Sequence, residues 1–189
     1  KKKKKMNNRL DHDVEMCVKH KVPIVITSLG ARQEVNDAIH SYGGIVLHDI
    51  INVVFAHKAL EKGADGLIAV CTGAGGHAGT LSPFALIQEI RQFFDGPLAL
   101  SGSIANGGAV AAAQALGADL GYIGSAFISC DEANAVDGYK DMIVDSKAGD
   151  IVYSNLFTGV HGNYFAPSIP KAGLGPNDLP ESGPFFFFF

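Results

Sequence analysis

The sequence lacks the cysteine pairs and long apolar runs that mark several protein classes. Its three cysteines, Cys17, Cys71 and Cys130, are isolated, with no C-x-x-C pair. Separated thiols of odd number argue against a disulfide scaffold and a cysteine-rich metal site, and favour a reduced, cytoplasmic protein. No apolar run approaches the roughly 18 residues needed to span a membrane, and no stretch resembles a cleavable signal. We therefore expect neither a membrane segment nor a metal.

Basic charge is scarce outside one terminal run. The chain has 15 Lys and Arg against 19 Asp and Glu, a net charge of −4. Lys1–Lys5 is a homopolymer, as is Phe185–Phe189, and we interpret both as artificial and exclude them from the fold. Without those lysines, 10 basic residues face 19 acidic ones, a net charge of −9. An acidic protein without a cluster of basic residues is unsuited to binding nucleic acid.

The remaining chain alternates apolar runs with amphipathic ones. The predicted strands are Val22–Ser28, Ile45–Ile50, Gly66–Val70, Pro97–Gly102 and Leu120–Ile128. The predicted helices that follow them are Ala31–Tyr42, Val53–Gly63, Ser82–Phe94, Gly107–Gly117 and Asp131–Ser146. Strands that begin every 21 to 31 residues have the spacing of βα units and predict an α/β fold with a parallel sheet. Residues 149–184, rich in Gly, Pro and Asn, predict one short strand and then an irregular extension.

Two architectures fit this alternation, an open doubly wound sheet and part of a (β/α)8 TIM barrel. The first would make "GAGGHA" (Gly73–Ala78) a dinucleotide fingerprint, which requires an acid near the end of the next strand. That strand ends "LALSGS" and has no acid. In barrels, phosphate sites lie in the loops after the last two strands. The backbone N–H groups of Gly102 and Ser103, and of Gly124 and Ser125, are predicted to converge on one phosphate there, although glycine alone also suits a tight turn.

The loop "VCTGAGGHAGT" (Val70–Thr80) places a histidine, His77, among glycines after a strand. A histidine in a glycine turn is, taken alone, more often structural than functional. Its position at the C-terminal end of a barrel strand favours a catalytic role. Two GAD turns that precede strands, at Asp65 and Asp119, predict structural caps at the opposite end of the barrel.

Two ordered segments carry a resemblance to a known family. They are "GADGLIAVCTGAGGHAGTLSPFALIQEIR" and "GPLALSGSIANGGAVAAAQALGADLGYIGSAF", and both resemble the nitronate monooxygenases, the 2-nitropropane dioxygenase-like flavoproteins. The later segment "YSNLFTGVHGNY" is similar to the family's segment after the eighth strand. The resemblance implies a barrel that binds FMN and oxidises alkyl nitronates or nitroalkanes with dioxygen.

Matching motifs imply roles for individual residues. His77 corresponds to the family's catalytic histidine, here a general base, and Gly75 and Gly76 would approach the flavin. The residues assigned to the FMN phosphate are Ser101, Gly102, Ser103, Gly124 and Ser125. His48 is a possible pocket residue.

Two positions depart from the family pattern. Ser125-Ala126 stands where many members have Thr-Arg, so the hydroxyl is kept and the cation is lost. The strand "IVLHDI" has His48 and Asp49 and lacks a lysine that some members place near the flavin.

The length of the chain bears on its domain organisation. If the last two strong strands are the seventh and eighth, residues 6–148 are strands four to eight of a barrel, and 149–184 an irregular extension. A complete barrel takes about 250 residues, and 179 remain once the ten terminal residues are set aside. We therefore expect a truncated barrel that self-associates to cover its open edges. Two alternatives stay open: an FMN-dependent enoyl thioester reductase and an inactive barrel fragment.

Overall fold

The computed structural model describes residues 8–170 and 173–181. Both homopolymer runs lie outside these residues. The helices are α1 (Leu10–His20), α2 (Gln33–His40), α3 (Val53–Glu61), α4 (Pro83–Arg91), α5 (Gly107–Leu116), α6 (Ser125–Ile128) and α7 (Asp137–Asp145). The strands are β1 (Ile24–Thr27), β2 (Ile45–Ile50), β3 (Gly66–Val70), β4 (Gly76–His77), β5 (Leu98–Ser101), β6 (Leu120–Gly121), β7 (Ile151–Ser154) and β8 (Gly162–Phe165). Within the described ranges, every helix is too short or too polar to cross a membrane.

The larger sheet confirms the predicted α/β fold. Its order is β1-β2-β3-β5-β6, and every neighbouring pair is parallel. Each strand therefore lies beside the one that precedes it in this sheet, with a helix in every crossover. A doubly wound sheet reverses its strand order at a switch point, and these strands show no reversal. The order is that of consecutive βα units of a barrel.

The sheet has a helix-facing side and an inner side. Leu67, Ala69 and Leu98 lie on the helix-facing side and share one buried cluster with Leu86 and Ile90 of α4. The alternate residues of the same strands form a second cluster on the inner side, with Ile68, Val70 and Ala99 packed against Ala74 and Ala78. The inner side of β3 and β5 is thus covered by the loop that follows β3.

The start of α4 matches its sequence signature. The Ser82 hydroxyl accepts a hydrogen bond from the Phe84 N–H at 3.3 Å, and Pro83 occupies the first helical position. The cap satisfies one of the unpaired N–H groups of the first turn, and proline has no N–H to leave unpaired there.

The predicted caps at the two GAD turns are confirmed. The Asp65 carboxylate accepts from the Val46 N–H at 2.7 Å, and the Asp119 carboxylate accepts from the Leu98 N–H at 2.8 Å. Each aspartate therefore joins its own turn to the start of the neighbouring strand.

Two predictions about the chain after Asp119 are wrong. The strand predicted over Leu120–Ile128 ends at Gly121, and the helix α6 begins at Ser125. Glycine weakens a strand interior, and Gly121 and Gly124 interrupt this run. The segment predicted as one strand and an irregular extension contains both β7 and β8, which form a three-stranded antiparallel sheet with β4.

Candidate active site

The loop after β3 is held by the hairpin of β7 and β8. Gly76 pairs with Asn163 and His77 with Gly162, so the predicted catalytic histidine sits on a two-residue strand. Gly162 must be small, because a Cβ there would lie 2.7 Å from the carbonyl oxygen of Gly76. The loop therefore has a defined conformation set by residues far along the chain.

Side chains of the hairpin also bind the loop. The Tyr153 hydroxyl donates to the carbonyl oxygen of Ala78 at 3.0 Å, and the Asn163 amide donates to that of Ala74 at 2.7 Å. In the other direction, the Ala78 N–H donates to the His161 carbonyl at 3.3 Å. Sequence reasoning did not predict these residues, although the segment "YSNLFTGVHGNY" that contains them was part of the family resemblance. That segment is the sequence feature from which these residues could have been identified.

The His77 side chain is exposed and has one hydrogen-bond partner among the described residues. Its Nε2 lies 2.9 Å from the Oγ1 of Thr158, in the turn between β7 and β8. The ring is therefore held at one nitrogen and accessible to a small molecule. Thr158 is a second site residue that sequence reasoning missed.

The three glycine-containing loops meet at one place. A Cβ at Gly73 would lie 1.9 Å from the Oγ of Ser103, and a Cβ at Gly75 would lie 2.3 Å from the Oγ of Ser125. The hydroxyls of Ser103 and Ser125 thus lie beside the loop that carries His77. The structure brings these predicted site residues together.

One part of the predicted phosphate cradle needs correction. The Ser103 N–H, expected to be free for an anion, donates to the Gly73 carbonyl at 3.1 Å. Gly102 is required by the protein itself, because its φ is +138° and a Cβ would lie 2.7 Å from the Thr72 carbonyl. Among these residues, Ser103 can offer an anion its hydroxyl, and Ser101 ends β5 on the inner side, opposite Val70.

The loop before α6 fits a bound anion better. No hydrogen bond within the described part of the chain satisfies the N–H groups of Gly124 and Ser125, and α6 has no capping side chain. At Gly124, φ is −117°, which any residue adopts, and a Cβ would meet nothing within 4 Å. Neither conformation nor contact with the described residues requires glycine there, which suits the close approach of a ligand to the backbone. These residues fit the phosphate of FMN.

A cavity of about 700 Å³ opens beside His77 and reaches between the ends of β1 and β2. His48 and Asp49 both line it, but they lie on opposite sides of β2. The His48 ring is buried on the helix-facing side, where its Nδ1 lies 2.6 Å from the Thr27 hydroxyl. Burial lowers the pKa of His48, because the charged ring would be desolvated. His48 thus contributes an uncharged side chain to the wall of the cavity.

Asp49 lies on the inner side of β2, opposite Ile68 of β3. Its Oδ1 is buried and has no hydrogen-bond partner in the described residues. Burial raises the pKa of the Asp49 carboxyl, and a hydrogen bond from Ser28 partly offsets this. The wall of the cavity therefore contains an acid whose charged form is disfavoured by burial.

The other groups near the site are less suited to act as a nucleophile or to bind a metal ion. Burial raises the pKa of the Cys71 thiol to about 11, so it stays protonated at neutral pH. In the described ranges, no three His, Cys, Asp or Glu side chains cluster closely enough to hold a metal ion.

The fold and the site together define a class: a barrel-type α/β protein with a histidine loop at the C-terminal ends of its strands, where barrel enzymes keep their active sites. A model of the nitronate monooxygenase family matches residues 3–164. The chain belongs to the nitronate monooxygenase family, a family of oxidoreductases.

Individual relatives agree with this assignment. The nitronate monooxygenase of Paraburkholderia phytofirmans is 28% identical over 140 residues, which is 69% of this chain and 38% of that protein. FabK from Thermotoga maritima has a TM-score of 0.78 at 27% identity, covering 90% of this chain and 56% of its own. The nitroalkane oxidase from Streptomyces ansochromogenes has a TM-score of 0.75 at 28% identity, covering 82% and 48%. The chain spans about half, or less, of the length of these relatives.

Proposed function

We propose that this site binds FMN and oxidises nitroalkanes or their nitronates with dioxygen, with His77 as the general base. The observation that carries the proposal is the His77 ring, exposed at the strand ends and held by Thr158 beside two serine-bearing glycine loops. The family model and the nitroalkane oxidase from Streptomyces ansochromogenes support the reaction class.

The cofactor would be held by the residues that meet around the His77 loop. The N–H groups of Gly124 and Ser125 would bind the phosphate, with the hydroxyls of Ser101, Ser103 and Ser125 around it. Gly75 and Gly76 would leave room for the flavin ring. The chemistry that FMN would supply when bound is the transfer of electrons from the organic substrate to dioxygen. The protein's own part is to bind, orient and move a proton.

His77 would move that proton. The carbon next to a nitro group is acidic, and removal of its proton gives the nitronate. An imidazole exchanges protons near neutral pH and serves as the base if it reaches within hydrogen-bond distance of that carbon. If the nitronate is itself the substrate, a protonated ring would stabilise its negative charge.

Asp49 favours a neutral substrate. It lines the same cavity as His77, and a carboxylate there repels an anionic nitronate. Lys58 and Lys62 also line this cavity, and their charges offset part of that repulsion. A neutral nitroalkane avoids this cost until its proton has left. We infer that the neutral nitroalkane is the form that enters.

The proposal is tested with the purified chain and FMN. We expect flavin absorption bands to remain with the protein after gel filtration, and oxygen consumption to depend on added nitroalkane. Protein that stays colourless after reconstitution contradicts the cofactor. Protein that binds FMN and consumes no oxygen with a nitroalkane or a nitronate contradicts the reaction.

Reduction of enoyl thioesters with a nicotinamide is the second candidate. The observation that favours it is the pair of departures from the family pattern: the strand Ile45–Ile50 lacks the lysine of some nitronate monooxygenases, and Ala126 stands where many have arginine. A neutral enoyl group needs neither. NAD(P)H oxidation that depends on an enoyl thioester, without nitroalkane turnover, would establish this candidate over the first.

A further inference from the structure

The hydroxyl of Thr158 has more neighbours than its single proton can serve. Its Oγ1 lies 2.9 Å from the Nε2 of His77 and 3.0 Å from the carbonyl oxygen of Val160. The Val160 N–H also donates to it at 3.4 Å, and the Tyr164 hydroxyl lies farther away, at 3.5 Å. The acceptor to which this hydroxyl donates its proton therefore determines which nitrogen of a neutral His77 ring carries a proton.

The Val160 carbonyl settles the direction of these hydrogen bonds. A carbonyl oxygen carries no proton, and two oxygens 3.0 Å apart repel each other unless a hydrogen lies between them. The Thr158 hydroxyl must therefore donate to Val160. Its lone pairs then remain to accept, and the bond to His77 forms only if the Nε2 of His77 carries a proton.

We propose that Thr158 is a positioning residue that fixes His77 in the Nε2–H tautomer and so makes Nδ1 the atom that takes the substrate proton. The second half rests on the proposed role of His77 as base. A neutral imidazole has one protonated nitrogen and one lone pair. With Nε2–H donated to Thr158, the lone pair is on Nδ1, which has no hydrogen-bond partner among the described residues.

The proton step balances without further groups. The bond between the substrate carbon and its hydrogen breaks, and the electron pair moves to the nitro group to give the nitronate. The proton forms a bond to Nδ1, and the ring becomes imidazolium with Nε2–H still donated to Thr158. The Thr158 proton stays with Val160, so Thr158 orients the base and does not relay the proton.

The experiment measures the tautomer directly. Long-range ¹H–¹⁵N NMR of histidine-labelled protein distinguishes the protonated ring nitrogen from the bare one, without substrate or flavin. We expect the His77 ring to show one Nε2–H tautomer at a pH where it is neutral, and Thr158→Ser to keep it. Thr158→Val removes the acceptor and is expected to give a mixture of tautomers. Thr80→Val, at an exposed threonine of the same loop, is the matched control and should change nothing.

Two results overturn the proposal: an Nδ1–H ring in the unaltered protein, or an unchanged single tautomer in a folded Thr158→Val variant. If that variant does not fold, the tautomer of the unaltered protein decides. Turnover tests the second half. Thr158→Val should lose about tenfold or more of the rate on nitroalkanes, part of the 10²–10⁴-fold that a general base supplies, and Thr158→Ser should restore it. Because the spectrum needs no turnover, failure of the proposed reaction leaves the tautomer result intact.

Discussion

His77 differs from His40, His48 and His57 in what holds its ring. His40 is paired with Asp65 at 2.8 Å, and His57 stacks on Phe93 with ring centroids 4.0 Å apart. His48 is buried against Thr27. Each of these rings is engaged in the structure of the helix layer. The His77 ring, by contrast, is exposed beside a cavity, and its one hydrogen bond among the described residues is to Thr158 of the hairpin.

Replacement of His77 tests its proposed role at this scale. His77→Asn should leave FMN binding intact and lower turnover of neutral nitroalkanes by about 10²-fold or more, the scale of a lost general base. Oxygen consumption measures the rate and flavin absorbance the binding. His12→Asn, at an exposed position of α1, is the control. Equal loss of flavin and of rate in His77→Asn would mean that the ring is structural.

The environment of Asp49 predicts how the stability of the protein depends on pH. Burial raises its pKa above the ordinary 3.8, so the folded protein binds the carboxyl proton more tightly than the unfolded chain does. The stability due to this proton is present at acid pH and is lost as pH rises through the folded-state pKa.

Asp49→Asn removes this titration. The free energy of unfolding of the variant should therefore exceed that of the unaltered protein by a margin that is smallest at acid pH and grows toward neutral pH. Urea unfolding across that range measures it, with Asp95→Asn at an exposed position as the control. A margin independent of pH would show that the Asp49 charge costs the folded state nothing.

At the scale of elements, the two GAD turns have the same structure. In each, a glycine with positive φ (+87° at Gly63, +109° at Gly117) ends the helix, and a buried alanine follows. The aspartate then caps the neighbouring strand and pairs with a basic side chain, His40 for Asp65 and Arg91 for Asp119. Both turns lie at the end of the sheet away from His77.

The loop before α6 gives a prediction about the cofactor. Gly124→Ala should leave stability within about 0.5 kcal/mol, because a Cβ there meets nothing within 4 Å. It should nevertheless weaken FMN binding about tenfold or more by holding the phosphate off the backbone, as measured by flavin fluorescence. Gly102→Ala should instead destabilise the fold by roughly 1–3 kcal/mol, from backbone strain and its clash with Thr72. Unchanged FMN affinity in Gly124→Ala would place the phosphate elsewhere.

The hairpin gives a second prediction at this scale. Tyr153→Phe removes the hydrogen bond to the Ala78 carbonyl and should cost about 1 kcal/mol. The amide of Ala78, which donates to His161, should then exchange its hydrogen about fivefold faster. Tyr122→Phe is the matched control, since within the described part of the chain the Tyr122 hydroxyl makes no hydrogen bond. Identical exchange in Tyr153→Phe would mean that the hydroxyl does not hold the loop.

The elements show which features could be predicted from sequence. The bounds of β2 and β3 agree residue for residue with their apolar runs, and the Ser82 cap was readable because capping depends on three adjacent residues. The sides of β2 followed from pairing, since only the register against β3 shows that Asp49 faces inward and His48 outward. The hairpin contacts could not be predicted, because no local pattern relates Thr158 to a histidine 81 residues earlier. The roles of His77 and of the phosphate loops remain predictions.

At the scale of the whole molecule, the parallel sheet has two edges within the described residues, β1 and β6. Apolar side chains of the inner side are uncovered at both, with Ile24 52%, Ile26 44% and Leu120 56% exposed. Unpaired strand edges and exposed apolar side chains favour association. We propose that copies of this chain associate through these edges.

Light scattering after size exclusion tests this proposal. We expect the 19.8 kDa chain to elute with a larger mass that falls on dilution. Ile26→Lys, which places a charge on the edge strand, should lower that mass. Val54→Lys, at a 60% exposed position on α3, is the control and should leave it unchanged. A monomer at every concentration would contradict association through the edges.

The distance along the chain between the histidine loop and its hairpin has a consequence for biosynthesis. Tyr153 binds a residue 75 positions earlier, Thr158 one 81 earlier, and Asn163 one 89 earlier. At a translation rate of about 5–20 residues per second, His77 leaves the ribosome about 4–16 s before the threonine that orients it. The βα units can form in that interval, but the hydrogen bonds between the loop and the hairpin cannot. A nascent chain that ends between His77 and Thr158 has the histidine without its orienting partner. The proposed base is therefore oriented only after the hairpin has been synthesised.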